Sequence, residues 1–371
     1  MTGIDSTRRI ERLQGLMAHT KNDALLAFSH NWRRDHVRFL AGFNLIGNWA
    51  LALLLPNGEV AAFVEHPWDR ERVMRESWAR QVFGGAEALP AIASLLEHTK
   101  VRTLGVTGLE LMETRFVEAL TRTPHPTLSS ATKAVENLRV VKEPEEIEIM
   151  REAARVADLG YRALIRASRV GTAEHAVTAE VEAAVRAEGA EDNFMIMASG
   201  GTEVKAMRPP GTRRLCAGDA VTAEVTPQVR GYYAQVCRTL IVGDPSPAQK
   251  KSFDIFYRAQ QAALDVLRPG VTIAEVAKAQ NQVFEAEGFG EYTSRRYTRV
   301  RGHCLGLHCD ENPLILEDVD TVVQAGMTMI AHPNTYLPLA GYMVFGDPLL
   351  VTDTGCVRLN SIERKLFFVE A

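Results

Sequence analysis

Residues 301–311 read Arg-Gly-His-Cys-Leu-Gly-Leu-His-Cys-Asp-Glu, the densest group of chemically capable side chains in the sequence. His303 and His308 share this stretch with Asp310 and Glu311, and two glycines allow the backbone to approach a ligand closely. A single histidine is usually structural, whereas two beside two acidic residues make a binding or catalytic site an equally good interpretation. We therefore expect this stretch to line a functional pocket.

Further candidate residues lie in apolar strands. Glu224 stands inside residues 220–225 (AVTAEV), where a carboxylate is costly unless it is paired or hydrogen-bonded. If Glu224 faces a pocket, burial raises its pKa and suits it to general acid–base chemistry. His332 ends an apolar run before Pro333, which stops a sheet ladder and so places the histidine at a strand end. Gln235, in the strand after Glu224, is an uncharged group that can orient a substrate.

The pattern around these residues predicts an α+β domain. Residues 142–146 (KEPEE) indicate a helix start, because proline suits the first turn and glutamates favour the positive end of the helix dipole. Apolar spacing predicts helices over residues 144–168, 174–189, 246–267 and 273–287, and strands over 193–198, 220–226, 231–242, 327–332 and 348–352. Two helices followed by strands, twice over, indicate a pseudo-duplicated domain from about residue 140 to residue 371.

The preceding part of the chain has a different pattern. Residues 23–29 (DALLAFS) predict a short buried strand, and the turn signal at 56–58 (PNG) between residues 51–55 and 60–64 predicts a β-hairpin. Helical stretches and short apolar runs then alternate to about residue 135. This part is therefore predicted to be an α/β domain with a partly antiparallel sheet.

Composition narrows the functional classes. The 371 residues suffice for two domains at roughly 100–200 residues each. The net charge of −4 argues against nucleic-acid binding, and the absence of an 18-residue apolar run argues against a membrane span. The five cysteines are odd in number and include no CxxC pair, so we expect neither a disulfide framework nor a structural zinc site. These features suggest a cytoplasmic enzyme.

Several segments together resemble the creatinase, prolidase and aminopeptidase P (M24) superfamily, whose catalytic domain has the pita-bread fold. The resemblance spans nearly the whole chain and is carried by residues 23–26, 39–43, 137–147, 198–200, 217–219, 238–239, 302–307 (GHCLGL, against the family's GHGIGL), 326–328 and 350–352. It implies an α/β N-terminal domain over residues 1–136. It also implies an α+β pita-bread catalytic domain over residues 137–371.

The departures from this resemblance concern the metal site. Metallopeptidase members hold two ions with Asp, Asp, His, Glu and Glu, and the positions of this chain that match them are, in order, Glu224, Gln235, His303, His332 and Gly346. A further catalytic histidine of the peptidases matches Met207, and a second histidine matches Asp310. Paired dications need bridging anionic oxygens, and both bridging positions have lost their carboxylates. A dinuclear metallopeptidase is therefore not expected.

Creatinase lacks the metal set as well, so the resemblance implies a metal-independent, creatinase-like hydrolase of a C–N bond in a small nitrogenous compound, with no cofactor. In this hypothesis His303 is the main acid or base, Glu224 is its partner, and His332 donates to developing negative charge. The other side chains expected to contact the substrate are Gln235, Met207, His308 and Asp310.

Alternatives remain open from the sequence. Glu224, His303 and His332 form a possible two-histidine, one-carboxylate set for one divalent metal ion, which would suit a hydrolase or a lyase of the same fold. A protein similar to the Xaa-Pro peptidases is another alternative, and a non-catalytic binding module is a third. The family resemblance also implies that the chain forms a homodimer. The chain is further expected to bind a small-molecule substrate, and neither nucleic acid nor a membrane.

Overall fold

The computed structural model of the chain describes residues 4–121 and 126–370, and it divides the chain into two units, Met1–Arg139 and Val140–Ala371. The first unit contains helices α1 (Ser6–Thr20), α2 (Asp35–Ala41), α3 (Arg70–Glu76), α4 (Ala88–His98), α5 (Thr114–Thr121) and α6 (Thr132–Val140), the last of which ends at the unit border. Its strands are β1 (Ala24–His30), β2 (Trp49–Leu54), β3 (Val60–Val64), β4 (Gln81–Gly84), β5 (Thr103–Thr107) and β6 (Thr127–Ser130).

These six strands form one mixed sheet in the order β4-β3-β2-β1-β5-β6. The pairs β1–β2 and β2–β3 are antiparallel, whereas β3–β4, β1–β5 and β5–β6 are parallel. Strand β1 is buried along almost its whole length, which is typical of a strand covered on both faces. The predicted strand over 23–29, the predicted hairpin and the partly antiparallel α/β sheet are confirmed.

A buried charge network lies in the first unit. Asp35, fully buried, pairs with Arg139 (Nη1 to Oδ2, 2.7 Å) and Arg33 (Nε to Oδ1, 3.0 Å). Next to it, His36 is also fully buried, and its Nδ1 lies 3.2 Å from the Thr107 hydroxyl. Burial lowers the pKa of His36 from 6.5 to about 4, although Asp35 opposes the change. His36 is therefore neutral in the folded protein near pH 7.

The second unit repeats a pattern of two helices followed by strands. Its helices are α7 (Pro144–Ala167), α8 (Glu174–Ala187), α9 (Pro247–Val266) and α10 (Ile273–Ala286). Its strands are β7 (Asp192–Gly200), β8 (Ala220–Val229), β9 (Tyr232–Tyr233), β10 (Val236–Val242), β11 (Gly302–Cys304), β12 (Glu311–Leu314), β13 (Thr328–Ala331), β14 (Asn334–Leu337), β15 (Gly341–Val344), β16 (Asp347–Val351), β17 (Cys356–Arg358) and β18 (Phe367–Val369).

The four predicted helices are confirmed, and three of them begin with reciprocal capping boxes. The boxes join Glu143 to Glu146, Ser246 to Gln249, and Thr272 to Glu275. One predicted strand is wrong in extent: residues 231–242 form two strands, β9 and β10, rather than one. Strand β9 pairs with β8, and the backbone N–H of Tyr233 donates to the carbonyl of Gly306 at 2.7 Å, which interrupts the ladder.

Two five-stranded sheets carry the second unit, and β14 and β15 form a separate antiparallel pair. One has the order β18-β10-β8-β7, with β9 also paired to β8, and helices α7 and α8 pack against it. The other has the order β12-β11-β13-β16-β17, and α9 and α10 bury apolar side chains against β11, β13 and β16. Among the described residues, no helix combines the length and apolar character that crossing a membrane requires.

The two sheets are joined where β10 meets the start of β16. The backbones of Cys237 and Gly346 exchange two hydrogen bonds, of 3.1 and 2.9 Å. The neighbouring Arg238 and Asp347 form a fully buried ion pair (Nη2 to Oδ1, 2.5 Å), and Arg238 Nη1 donates to the Gly346 carbonyl at 2.6 Å. Although burial opposes ionisation, Arg238 lowers the pKa of Asp347. We call these four residues the sheet junction.

Replacing Asp347 by Ala should destabilise the second unit, because Arg238 would be left as an unpaired buried charge. We expect the unfolding free energy to fall by about 3–5 kcal/mol. The matched control is Asp254→Ala, which removes an exposed partner of Arg258 and should cost less than about 1 kcal/mol. Urea unfolding followed by far-ultraviolet circular dichroism measures the unfolding free energy of both variants. All four tryptophans lie in residues 32–78, so tryptophan fluorescence reports separately on the first unit. Equal losses in the two variants would contradict the prediction.

Acid should destabilise the first unit through His36. The unfolded chain protonates this side chain near pH 6.5 and the folded chain only near pH 4, so the unfolding free energy falls as the pH decreases through that window. The contribution is up to roughly 3 kcal/mol. In His36→Gln the decrease between pH 6.5 and pH 4 should be smaller by this amount, whereas the exposed His19→Gln control should behave as wild type. Urea unfolding followed by tryptophan fluorescence measures the unfolding free energy at each pH. Identical pH slopes for wild type and His36→Gln would refute the assignment.

Candidate active site

Three buried side chains with metal-binding or acid–base capacity meet beside the sheet junction. Glu224 lies on β8, Cys237 lies directly opposite it on β10, and His332 follows the end of β13. One carboxylate oxygen, the Sγ atom and one imidazole nitrogen lie within 4.8 Å of one another. We call Glu224, Cys237 and His332 the donor cluster.

Glu224 holds its proton in this environment. Burial, followed by the charge of Asp310, raises its pKa to about 8, although hydrogen bonds from Cys237 and Gln235 oppose the change. The Gln235 amide donates from Nε2 to Glu224 Oε2 at 3.0 Å. Its Oε1 is buried and has no hydrogen-bond partner among the described residues, so it can accept a hydrogen bond from a ligand.

His332 is held at both its backbone and its ring. Its backbone N–H donates to the Arg301 carbonyl at 3.0 Å, and its Nδ1 lies 3.2 Å from Asn334 Nδ2. The other ring nitrogen, Nε2, is buried without a partner among residues 4–121 and 126–370. Burial, with contributions from His303 and Arg301, holds the pKa of His332 well below its usual value. The ring is therefore neutral, and Nε2 is available to a ligand.

His303 forms a second group beside the donor cluster. Its Nδ1–H donates to the Cys304 carbonyl at 2.9 Å, and its Nε2 lies 3.0 Å from Asp310 Oδ1. The rings of His303 and His332 meet edge to face, with centroids 5.1 Å apart. The imidazole is buried while the Asp310 side chain is 56% exposed, so this pair connects the buried cluster with solvent.

The other predicted site residues lie in neither group among the described residues. His308 accepts a hydrogen bond at Nδ1 from the backbone of Asp310, at 3.1 Å, and so shapes the turn that carries that carboxylate. Met207 is half-buried in the loop between β7 and β8, next to the bridge that Arg208 makes with Met197. The structure thus brings together Glu224, Gln235 and His332, with His303 and Asp310 beside them.

Cys237 is the residue that sequence reasoning missed. It stands two positions after Gln235, and therefore on the same face of an extended strand, but its place opposite Glu224 depends on the register of β8 and β10.

Gly346 has a steric role, because a Cβ built there would lie 2.4 Å from the Cβ of His332. A side chain at position 346 and the observed place of His332 therefore exclude each other.

Comparison with known proteins gives the chemical context of this site. Residues 148–353, more than half of the chain, match the family model described as metallopeptidase family M24. The chain is 26% identical to a protein named uncharacterized peptidase YqhT from Bacillus subtilis (strain 168), over 97% of this chain and 100% of that protein. It is 31% identical to the Xaa-Pro dipeptidase of Pyrococcus furiosus, over 62% of this chain and 66% of that protein.

Solved structures show the same fold. The X-Pro aminopeptidase of Thermotoga maritima MSB8 superposes with a TM-score of 0.86 at 22% identity, covering 97% of this chain and 99% of that one. The Xaa-Pro dipeptidase of Bacillus anthracis gives a TM-score of 0.86 at 24% identity, covering 98% of this chain and 100% of that one. The predicted fold class, an α/β domain followed by a pita-bread domain, is confirmed.

These comparisons overturn the main functional prediction. The matching family is a metallopeptidase family, and the named relatives are Xaa-Pro dipeptidases and aminopeptidases. The expectation of metal-independent, creatinase-like hydrolysis without a cofactor is therefore wrong. That expectation counted the carboxylates that had been replaced, and it did not include the sulfur atom that β10 places across from Glu224.

Gly346→Ala should displace His332, because the added methyl group would occupy the space of the His332 Cβ. We expect a loss of about 1–3 kcal/mol in unfolding free energy, typical of overpacking. Gly355→Ala is the control, since no described atom beyond residues 354–356 lies within 4 Å of the Cβ it adds. In a double-mutant cycle with His332→Gly, which removes the opposing Cβ, the two changes should couple favourably by about 0.5–3 kcal/mol. Additive losses would show that the two positions do not compete for space.

Proposed function

The chain belongs to metallopeptidase family M24, in the creatinase, prolidase and aminopeptidase P superfamily, and from this we propose that it hydrolyses the amide C–N bond of a small, dipeptide-like substrate with one divalent metal ion. The observation that carries the proposal is that Nε2 of His332 is buried without a partner among the described residues, while one ring nitrogen of His332 lies within 4.8 Å of the Glu224 carboxyl group. The printed names of the relatives, Xaa-Pro dipeptidase and X-Pro aminopeptidase, support a peptide-like substrate.

The side chains present fit one ion better than two. A bridged pair of dications needs anionic oxygens on both sides. Gln235, at one bridging position, is neutral and uses its amide N–H to bind Glu224. Gly346, at the other, has no side chain, and a Cβ there would collide with His332. We therefore propose a mononuclear site in which Glu224 and His332 hold the ion.

When bound, such an ion supplies Lewis-acid polarisation of the scissile carbonyl group. The chain's own groups do the rest. His303 lies beside the cluster with its Nδ1–H fixed by the Cys304 carbonyl, so Nε2 is the atom that can take a proton from the attacking water and give it to the leaving nitrogen. Asp310 contacts Nε2 and orients this ring from its exposed position. Gln235 Oε1 accepts an N–H of the substrate.

We also propose that the chain forms a homodimer in the cytoplasm. Trp32 and Trp68 are 87% and 66% exposed, and large exposed aromatic side chains are enriched at protein interfaces. The five cysteines are all free within the described residues, which suits a reducing compartment.

The function is tested with a panel of Xaa-Pro and Xaa-Ala dipeptides. We expect hydrolysis that is lost after exhaustive chelation and restored by one equivalent of Mn²⁺, Co²⁺ or Zn²⁺. His303→Gln should lower kcat by about 10²–10⁴-fold without abolishing metal binding, because it removes the proton-transfer group and no ligand. The exposed His98→Gln is the matched control. Undiminished hydrolysis after chelation, a requirement for two equivalents, or no dipeptide hydrolysis with any ion would overturn the proposal.

A further inference from the structure

We infer that Cys237 is a thiolate ligand of the metal ion, so that the site prefers a thiophilic divalent cation, Zn²⁺ or Co²⁺, over Mn²⁺ or Mg²⁺. This rests on the proposed mononuclear site and specifies its third donor. Carboxylate and imidazole ligands alone accept most divalent ions, whereas a thiolate selects softer ones. The inference therefore concerns which ion the enzyme uses.

The geometry of the donor cluster carries the inference. A tetrahedral ion with bonds of about 2.0–2.3 Å separates its donors by roughly 3.3–3.8 Å. The donor atoms of Glu224, Cys237 and His332 already lie within 4.8 Å of one another, so a contraction of about one ångström brings them onto one ion. Three protein ligands leave a fourth position open for a substrate, as in catalytic zinc sites.

The backbone holds these donors in place before any ion binds. Glu224 and Cys237 face each other across β8 and β10, and the backbone of Cys237 is bonded on its other side to Gly346. The absence of a side chain at Gly346 admits the Cβ of His332 beside it. The same strand junction thus positions both the sulfur and the imidazole.

The unpartnered imidazole nitrogen is the independent sign of a ligand. His332 is only 4% exposed, and its Nε2 has no hydrogen-bond partner among the described residues. The Asn334 amide lies 3.2 Å from Nδ1, and its Oδ1 is also unpartnered there. Turning that amide by half a rotation lets Oδ1 accept from Nδ1–H, which leaves the lone pair on Nε2 free for a ligand.

Charge balance favours the same assignment. One carboxylate and one thiolate neutralise a divalent cation, while the imidazole remains neutral. A buried site of this composition carries no net charge, which avoids the cost of an uncompensated ion away from water. Bridging carboxylates at positions 235 and 346 would add negative charge that only a second ion could offset. Their replacement by Gln235 and Gly346 is consistent with a single ion.

Cobalt titration of the full-length apoprotein tests the inference, because a cobalt–thiolate bond gives a charge-transfer band in the near ultraviolet. We expect this band to saturate at one equivalent of Co²⁺ and to disappear in Cys237→Ala. Co²⁺ affinity should fall by at least about 10–100-fold in that variant, and Zn²⁺ should displace Co²⁺ from wild type more readily than Mn²⁺ does. Cys304→Ala is the matched control, since Cys304 is equally buried but packs in the apolar core formed with α9 and α10.

The other outcomes show whether this inference fails alone or together with the proposed function. Binding of one Co²⁺ without the thiolate band in wild type would overturn the role of Cys237 and leave the mononuclear site standing. A band that persists in Cys237→Ala and disappears in Cys304→Ala would also overturn it. No Co²⁺ or Zn²⁺ binding at all would overturn both proposals. If Cys237→Ala does not fold, as judged by circular dichroism, the spectra of wild type and Cys304→Ala still decide whether a thiolate binds.

Discussion

The buried ion pair of Arg238 and Asp347 fixes the place at which the two sheets of the catalytic unit meet. Neither side chain reaches water, and Gln260 and Asn360 add hydrogen bonds to the carboxylate at 3.0 and 2.8 Å. Replacing Asp347 would leave Arg238 without an ionic partner in the interior, so the pair fixes the geometry although such pairs add little net stability. Because Cys237 precedes Arg238 and Gly346 precedes Asp347, the pair also sets the spacing of the donor cluster.

Burial at this junction links cation binding to protons. With no ion bound, burial keeps the proton on the Glu224 carboxyl group, whose pKa is about 8, and raises the pKa of the Cys237 thiol well above its usual value. A cation must displace those protons, because carboxylates and thiolates coordinate in their deprotonated forms. The donor cluster is thus neutral both with and without an ion. It loses protons when the ion binds, and neither state leaves an unpaired charge in the interior.

Much of the fold was predictable because its signals are local. The four helices of the second unit follow apolar spacing, three of them begin at capping boxes, and the hairpin of the first unit follows from a turn between two apolar runs. The break between β9 and β10 was not predictable, since it depends on a hydrogen bond from Tyr233 to the distant Gly306. Glu224 and His332 were identifiable as polar groups in apolar strands. Cys237 was not, because its partner is set by strand register across a turn.

The close packing of Gly346 against His332 limits which donors this site can present together. On the present backbone a carboxylate at position 346 is excluded, since even the first carbon of any side chain would lie 2.4 Å from the Cβ of His332. Every residue except glycine at 332 presents that same carbon, so a side chain at 346 requires the two backbones to separate. The two positions are therefore coupled through the backbone, and a change of donor at 346 alters the position of the donor at 332.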